Sequence, residues 1–220
     1  MTARPMIPDF LRVIEEGSRL LGVGIESGEA TKMVCYAELL MEWSLRTNLT
    51  SLRDPVDIAV FHFLDSLTVF KVAPRFAGFR VLDVGSGAGF PGMVMRIADG
   101  SLHVTLLDRN PRKIVFLKEV ARKLDLTGIS FFNKKLETLL EDRETRPFDL
   151  VVSRALSSAP GFFERLHAVL ATNGLLVRMG GPASVCEEST LAHFRQSAMW
   201  EGTLPFSESF RRVSLYERIA

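Results

Sequence analysis

The sequence contains little of what marks secreted, membrane-spanning or fibrous proteins. Only 2 of its 220 residues are cysteine, and Cys35 and Cys186 fit no metal-ligand spacing. It has no run of about eighteen uncharged apolar residues, the length that a membrane helix needs. The first 20 residues lack the apolar centre of a signal peptide. We therefore expect a cytoplasmic protein without a metal site, whose two cysteines are buried thiols in a reducing compartment.

Composition and charge narrow the class further. Lys and Arg together number 27 and Asp and Glu 26, a net charge of +1 that does not indicate a strongly basic nucleic-acid binder. Any contact with nucleic acid must then come from local patches. With 47% hydrophobic and 24% charged residues, the chain is typical of a folded globular domain. The 16 Gly and 10 Pro follow no period, which excludes a collagen-like chain.

Two patterns divide the chain at about residue 75. Residues 1–75 have the period of helices: between Glu29 and Arg46 apolar side chains recur every three or four residues, and Asp54 and Pro55 begin a second helix. Residues 76–220 alternate short apolar runs with amphipathic stretches. We predict strands over 80–84, 103–107, 129–132, 148–153 and 175–179, an edge or antiparallel strand over 211–218, and helices over 91–98, 111–124, 137–140 and 161–170. This order predicts an N-terminal helical extension followed by an α/β domain with a parallel sheet.

A glycine-rich loop follows the first predicted strand. Asp83 precedes Gly85, Gly87 and Gly89, and these glycines permit a tight turn and the close approach of a ligand to the backbone. The spacing favours S-adenosylmethionine over a nicotinamide dinucleotide. Asp83 favours it as well, because a carboxylate attracts the ammonium of the methionine moiety and repels a pyrophosphate.

The next predicted strand ends in a second acid, Asp108. An acid at this point accepts hydrogen bonds from both ribose hydroxyls of an adenosine. We therefore predict an S-adenosylmethionine site that includes Asp83, Gly85, Gly87, Gly89 and Asp108. A nicotinamide-dependent oxidoreductase and a glycine turn that binds nothing stay open as alternatives.

Several short motifs, in this order along the chain, resemble the bacterial glucose-inhibited division protein B family. They are Asn48-Leu49-Thr50-Ser51-Leu52, His62-Phe63-Leu64-Asp65-Ser66, the loop from Asp83 to Gly92, Leu107-Asp108, Lys113 with Phe116-Leu117, and Ser153-Arg154-Ala155. The resemblance covers nearly the whole chain and is weakest towards the C-terminus. It implies a Rossmann-like class I methyltransferase fold, with a mostly parallel seven-stranded sheet, helices on both faces and an N-terminal helical extension.

The family is known for transferring a methyl group from S-adenosylmethionine to N7 of a guanine in 16S ribosomal RNA. The resemblance implies this activity here, with 16S ribosomal RNA or the small ribosomal subunit particle as partner. It implies cofactor contacts from Gly85, Phe90, Leu136, Glu137 and Arg154, with Asp108 holding the ribose as in related methyltransferases. Orienting the guanine and bracing the loop from behind stay open as alternative roles of Arg154. We expect a monomer that does not contact membranes.

The chain departs from the family's pattern at two positions. Leu156 follows Ser-Arg-Ala where the family often has an aromatic residue. Met179 and Gly180 stand where the family often has Lys-Gly after the fifth strand. A cation usual at this rim is missing or replaced, and Arg178 is the candidate replacement.

The residues after the fourth predicted strand bear on the acceptor atom. Enzymes that methylate an exocyclic amine usually have Asp or Asn, two prolines and an aromatic residue there, whereas this chain has Ser153 and Arg154. Guanine N7 has a lone pair and no proton, so its methylation needs alignment rather than a base. We therefore assign no catalytic side chain. His62 and Asp65 share a helix face and form either a rim over cofactor and RNA or a helix-packing pair.

Local charge supplies candidates for RNA contact. Between Arg109 and Lys135 eight basic side chains face two acidic ones, a net charge of +6. We predict RNA contacts from Arg53, Arg112, Lys113 and Arg211, and base stacking from Phe90. A solvated helix face is the alternative meaning of such a charge run. A methyltransferase of a small molecule is the alternative function, since it would not need this patch.

Overall fold

The computed structural model describes residues 6–73, 78–141, 146–154, 161–181 and 193–219. Its N-terminal part is helical, with α1 (Met6–Leu20), α2 (Ser27–Ser44), α3 (Pro55–Ile58), a π-helical turn (Ala59–Leu64), α4 (Asp65–Leu67) and a 3-10 turn (Thr68–Lys71). Asp54 caps α3 as predicted, because its side chain accepts hydrogen bonds from the N–H groups of Val56 and Asp57. No helix in these described ranges is long and apolar enough to cross a membrane.

The rest of the chain forms a seven-stranded sheet. Its strands are β1 (Arg80–Val84), β2 (His103–Leu107), β3 (Ile129–Phe132), β4 (Phe148–Ser153), β5 (Leu170–Gly180), β6 (Phe194–Thr203) and β7 (Phe210–Arg218). They lie in the order β3-β2-β1-β4-β5-β7-β6. Strands β1 to β5 are parallel, and β7 is antiparallel to β5 and β6. The helices between parallel strands are α5 (Gly92–Ala98), α6 (Pro111–Lys123), α7 (Leu136–Glu141) and α8 (Phe162–Val169).

Helices cover both faces of the sheet. Successive side chains along a strand point to opposite faces. Val81 of β1 therefore packs in a core that includes residues of α1, α2 and α5, whereas Leu82 and Val84 pack in a second core with residues of α7 and α8. The N-terminal helices thus share a hydrophobic core with the sheet. In this arrangement the chain reverses its direction across the sheet between β1 and β4, where open α/β sheets bind ligands at their carboxyl edge.

The predicted fold class is confirmed, and β1 to β4 have the predicted bounds. Strand β5 begins earlier than predicted, at Leu170. Of the two alternatives predicted for β7, the antiparallel strand is confirmed, and β7 lies inside the sheet. Strand β6 has no counterpart among the predicted strands. Only Phe194 of its 10 residues is buried, so the sequence has no apolar run there.

The prediction of a buried thiol is wrong for Cys35, which is exposed. The buried face of α2 is formed by neighbours such as Met33, Tyr36 and Leu40, and Cys35 points away from that face. Cys186, and with it Leu156, lies outside the described residues.

Candidate active site

The loop after β1 turns back at the carboxyl edge of the sheet. The N–H groups of Gly85 and Ser86 both donate to the carbonyl oxygen of Leu107 at the end of β2, at 2.9 and 3.0 Å. Gly85 has a φ of +73°, a conformation that favours glycine, and a Cβ built there would meet no atom within 4 Å. The missing side chain therefore leaves open space beside the backbone.

This space belongs to a cavity of about 590 Å³, which we call the first cavity. Gly85 and Asp108 line it from the ends of β1 and β2, and Leu136 and Glu137 line it from the start of α7. Five cations also border it: Arg109, Lys113, Lys134, Lys135 and Arg165. The structure thus brings four of the predicted cofactor residues together around one cavity.

Asp108 fixes the loop as well as facing the first cavity. Its Oδ2 accepts a hydrogen bond from the N–H of Gly87 at 2.9 Å, and its Oδ1 accepts one from the N–H of Asn110 at 2.8 Å. The ammonium of Lys113 lies 3.8 Å from Oδ2. Lys113, which was predicted to contact RNA, is therefore a neighbour of the predicted ribose-binding acid.

Gly89 and Gly92 differ from Gly85, because neither lines the first cavity and both are surrounded by protein. A Cβ at Gly92 would lie 2.8 Å from the carboxylate of Asp83, and one at Gly89 would overlap the side chains of Tyr36 and Leu117. Buried neighbours have little room to move. These two glycines therefore permit packing, and Gly85 is the glycine of the motif that borders the first cavity.

Asp83 is buried beneath the loop with an exposed fraction of 1%. Its Oδ2 accepts a hydrogen bond from the N–H of Gly92 at 2.8 Å, whereas its buried Oδ1 has no hydrogen-bond partner among the described residues. Burial raises the pKa of Asp83 to about 7, against the lowering effect of the Gly92 hydrogen bond and of Arg154. The site thus contains a buried carboxyl oxygen that has no hydrogen-bond partner in the part of the chain that the structure describes.

A second cavity, of about 330 Å³, opens at the ends of β4 and β5. It is lined by Phe61, His62, Asp65, Arg154, Met179, Gly180, Gly181 and Arg211. Arg211 Nε donates to Asp65 Oδ1 at 3.0 Å, and Arg154 Nη1 lies 3.7 Å from Asp65 Oδ2. The carboxylate of Asp65, which is 4% exposed, therefore lies between two guanidinium groups.

His62 is held in one orientation by partners at both ring nitrogens. Nε2 lies 2.7 Å from Thr50 Oγ1, and Nδ1 lies 3.4 Å from Arg154 Nη1. A guanidinium only donates, so Nδ1 is the acceptor and the proton of the neutral ring is on Nε2. Burial, with a further contribution from Arg154, lowers the pKa of His62 to about 4. His62 and Asp65 are not partners of each other, but both are neighbours of Arg154.

Phe90 does not offer a ring face to an RNA base, contrary to the prediction. Tyr36 stacks on it at 5.3 Å and 7°, and His62 stacks on it at 4.6 Å and 17°. Arg154 lies 5.5 Å from the ring centroid. Only 3% of Phe90 is exposed, because these neighbours cover its ring. Neither Phe90 nor Arg154 lines the first cavity, and Arg154 lines the second.

The second cavity also corrects the expected replacement of the family's lysine. Arg178 is not among the residues that line this cavity, whereas Arg211 from β7 is. Sequence reasoning named Arg211 only as an RNA contact, because nothing in the sequence links it to Asp65, 146 residues away. It also missed Arg165, whose Nε lies 3.2 Å from Glu137 Oε1. Among the described residues, no group of three or more His, Cys, Asp or Glu is placed to hold a metal ion.

The sheet has an antiparallel β7 beside β5, a glycine turn after β1, and acids at the ends of β1 and β2. Together these features define a Rossmann-like methyltransferase that uses S-adenosylmethionine. The solved structure of MtNAS in complex with MTA and tNA resembles this fold with a TM-score of 0.60 at 14% identity, over 96% of this chain and 86% of that chain. Residues 29–202 match the family described as rRNA small subunit methyltransferase G. The chain belongs to this family.

Similar proteins named Ribosomal RNA small subunit methyltransferase G support the assignment over nearly the full chain. The one from Acinetobacter baumannii strain AYE is 32% identical over 210 residues, which are 96% of this chain and 99% of that protein. The one from Geobacter sp. strain M21 is 35% identical over 199 residues, which are 90% of each. The family identified from short motifs is therefore confirmed.

Burial of Asp83 makes folding stability depend on pH. Its pKa of about 7 in the folded protein lies above the value of an unfolded chain, so the folded state holds a proton that the unfolded state has released. Stability from this group is complete below about pH 4 and is lost as the pH rises to 7. We expect Asp83→Asn to have a higher free energy of unfolding than the wild type at pH 8, by on the order of a few kcal/mol, as measured by urea denaturation. At pH 4.5 we expect most of this difference to disappear.

His62 contributes with the opposite sign, since its lowered pKa makes stability fall as the pH drops from 6.5 to about 4. The difference between the wild-type and Asp83→Asn unfolding curves removes this contribution, because both proteins contain His62. A difference that does not change with pH would contradict a protonated Asp83.

Proposed function

We propose that the protein transfers the methyl group of S-adenosylmethionine to N7 of a guanine in 16S ribosomal RNA, in the cytoplasm and as a monomer. The observation that carries the proposal is the turn at Gly85, open to a cavity that Asp108 borders, in a chain of this family. The small ribosomal subunit or its RNA is the proposed partner.

The residues of the first cavity fit the nucleoside part of the cofactor. We assign the ribose hydroxyls to Asp108, whose carboxylate oxygens each retain a lone pair beyond the loop hydrogen bonds. Gly85, Leu136 and Glu137 surround the remaining space. Gly87 and Gly89 act through the shape of the loop.

Asp83 fits the cationic end of the cofactor. Its buried Oδ1 has no hydrogen-bond partner among the described residues, and an ammonium group would supply the ionised carboxylate with a donor and a compensating charge. Oδ1 is covered by the loop, so this contact needs a bridging water or a small shift of the loop.

The chemistry requires positioning rather than proton transfer. When bound, S-adenosylmethionine supplies an electrophilic methyl carbon on a sulfonium. The lone pair of guanine N7 forms the new N–C bond while the C–S bond breaks with its electrons passing to sulfur, and the positive charge moves to the base. No proton leaves N7. Neither Ser153 at the end of β4 nor Arg154 after it is a residue of the amine-methylating motif.

The four predicted RNA contacts fall into two groups. Arg53 and Arg112 are exposed, and Arg112 lies in the first turn of α6. Lys113 and Arg211 instead line the first and second cavities. We therefore propose that Arg53 and Arg112 contact RNA phosphates, and that the other two act close to the reacting groups.

A side chain at Gly85 should prevent cofactor binding. We expect Gly85→Leu to weaken S-adenosylmethionine binding at least tenfold in calorimetry, because the side chain would enter the first cavity. Gly78→Leu is the matched control, since Gly78 has nearly the same φ, +77°, also meets no atom within 4 Å, and lies outside this cavity. Equal binding by both variants would place the cofactor elsewhere.

Reversing the exposed charges should weaken RNA binding alone. We expect the Arg53→Glu and Arg112→Glu variants to show a higher KM for small-subunit particles, a weaker dependence of this KM on salt, and unchanged cofactor affinity. Arg195→Glu makes the same charge change on edge strand β6 and should leave the KM unchanged. A KM that rises equally in all three variants would indicate net charge rather than a contact.

The proposed reaction predicts labelled RNA of defined chemistry. Particles from cells that lack the gene should accept one labelled methyl group from S-adenosylmethionine, and mass mapping should find it on a guanine. Mild reduction followed by aniline should cleave the RNA there, because N7 methylation makes the ring labile. A label in ribose, or on an exocyclic amine, would refute the N7 assignment.

A further inference from the structure

The second cavity opens at the same carboxyl edge of the sheet as the first cavity, in which we propose that the cofactor binds. Its walls come from the ends of β4 and β5, from β7, and from the π-helical turn with Asp65. Phe90 of the glycine loop links this region to the first cavity, because it touches His62 and Arg154 on the second. The two cavities thus flank one loop at the carboxyl edge of the sheet.

Three aromatic rings form a column that ends at this cavity. Tyr36 is fully buried, Phe90 stacks on it, and His62 stacks on Phe90 with an interplanar angle of 17°. His62 is the only ring of the column that lines the second cavity. Thr50 and Arg154 hold the ring at its two nitrogens, so its plane is fixed before any ligand binds. A planar base would extend such a column.

The two arginines of the cavity carry further donors. Nη1 of Arg154 donates to the carbonyl oxygen of Phe61 and to Nδ1 of His62. In Arg211, Nε donates to the carboxylate of Asp65 and Nη1 donates to the carbonyl oxygen of Phe210. Among the described residues, Nη2 of each guanidinium makes no hydrogen bond. Asp65 compensates one of the two positive charges and fixes the direction of both forks.

We propose that the second cavity binds the acceptor guanine, stacked on His62, with O6 accepting a hydrogen bond from Arg154 or Arg211. Asp65 is a positioning residue that acts through these arginines. Guanine presents the acceptors N7 and O6 on one edge, whereas adenine presents an amino donor beside N7. A guanidinium therefore selects guanine over adenine while N7 stays free for the methyl group. This inference rests on the proposed function, and it names the residues that make the enzyme selective for guanine.

The charge of the ring beneath the base suits the reaction. The base becomes positive as the methyl group arrives, and an imidazolium below it would oppose that charge. Burial and Arg154 keep the pKa of His62 at about 4, so the ring is neutral at physiological pH. A neutral ring held by hydrogen bonds stacks without this repulsion.

Base analogues at the mapped guanine test the contact to O6. Inosine retains O6 and N7 and lacks only the 2-amino group, whereas 2-aminopurine lacks O6. We expect the wild-type enzyme to methylate an inosine-containing RNA within about threefold of the guanine RNA, and the 2-aminopurine RNA at least tenfold more slowly. Equal rates for guanine and 2-aminopurine would overturn the proposal.

Variants of the cavity test the stacking ring and the arginine fork. We expect His62→Ala to raise the KM for RNA at least fivefold and His62→Phe to restore most of the loss, with cofactor affinity unchanged in both. Arg211→Lys retains the charge but not the planar fork, and should reduce the preference for guanine over 2-aminopurine. His103→Ala, at the exposed start of β2, is the control and should behave as wild type.

Different results would refute the proposed function and the assignment of the second cavity. A wild-type enzyme that binds S-adenosylmethionine but labels no guanine RNA refutes the proposed function, and with it this inference. An enzyme that labels guanine N7 while these variants keep the wild-type KM and base preference refutes only the assignment of the second cavity.

Discussion

Two buried carboxylates hold the loop on which both cavities are built. Asp108 accepts the N–H of Gly87 near one end of the loop, and Asp83 accepts the N–H of Gly92 at the other. Between these anchors the backbone leaves open space at Gly85 and turns Phe90 inward beneath His62. The same hydrogen bonds therefore shape the wall of the first cavity and the floor of the second.

The N-terminal helices are part of this architecture, because they supply a wall of the second cavity. His62 lies in a π-helical turn, a helix form that is rare and often occurs at functional sites. Phe63 and Leu64 in the same turn are fully buried in the core shared with the sheet. That packing fixes the turn from behind, while His62 and Asp65 face the cavity. The N-terminal helices therefore contribute both to the core shared with the sheet and to the wall of the second cavity.

The sequence predicts strands and the glycine loop well because local chemistry determines them. Strands buried on both faces are short apolar runs, and β1 with its single acid, Asp83, is the clearest case. The second cavity has no such local signature. Asp65 meets Arg211 only because β7 inserts between β5 and β6, and the strand at that edge, β6, is mostly exposed. Lys113 is a similar case. In the sequence it is one member of a basic run, whereas in the fold its ammonium group lies beside the carboxylate of Asp108.

Burial shifts the pKa values of Asp83 and His62 in opposite directions, and both shifts favour the neutral form of the side chain. It raises the pKa of Asp83 to about 7 and lowers that of His62 to about 4, so both tend towards their neutral forms near physiological pH. Each shift costs folding free energy, because the unfolded chain would ionise more freely. Neutral side chains at these two positions suit a reaction that moves a positive charge from sulfur to a base without releasing a proton. A permanent cation directly beneath the acceptor would oppose that movement, and a cation bound next to Asp83 would restore its carboxylate. The folding free energy lost through these pKa shifts is therefore lost at Asp83 and His62, the two positions where we propose that the charge of the side chain matters for the reaction.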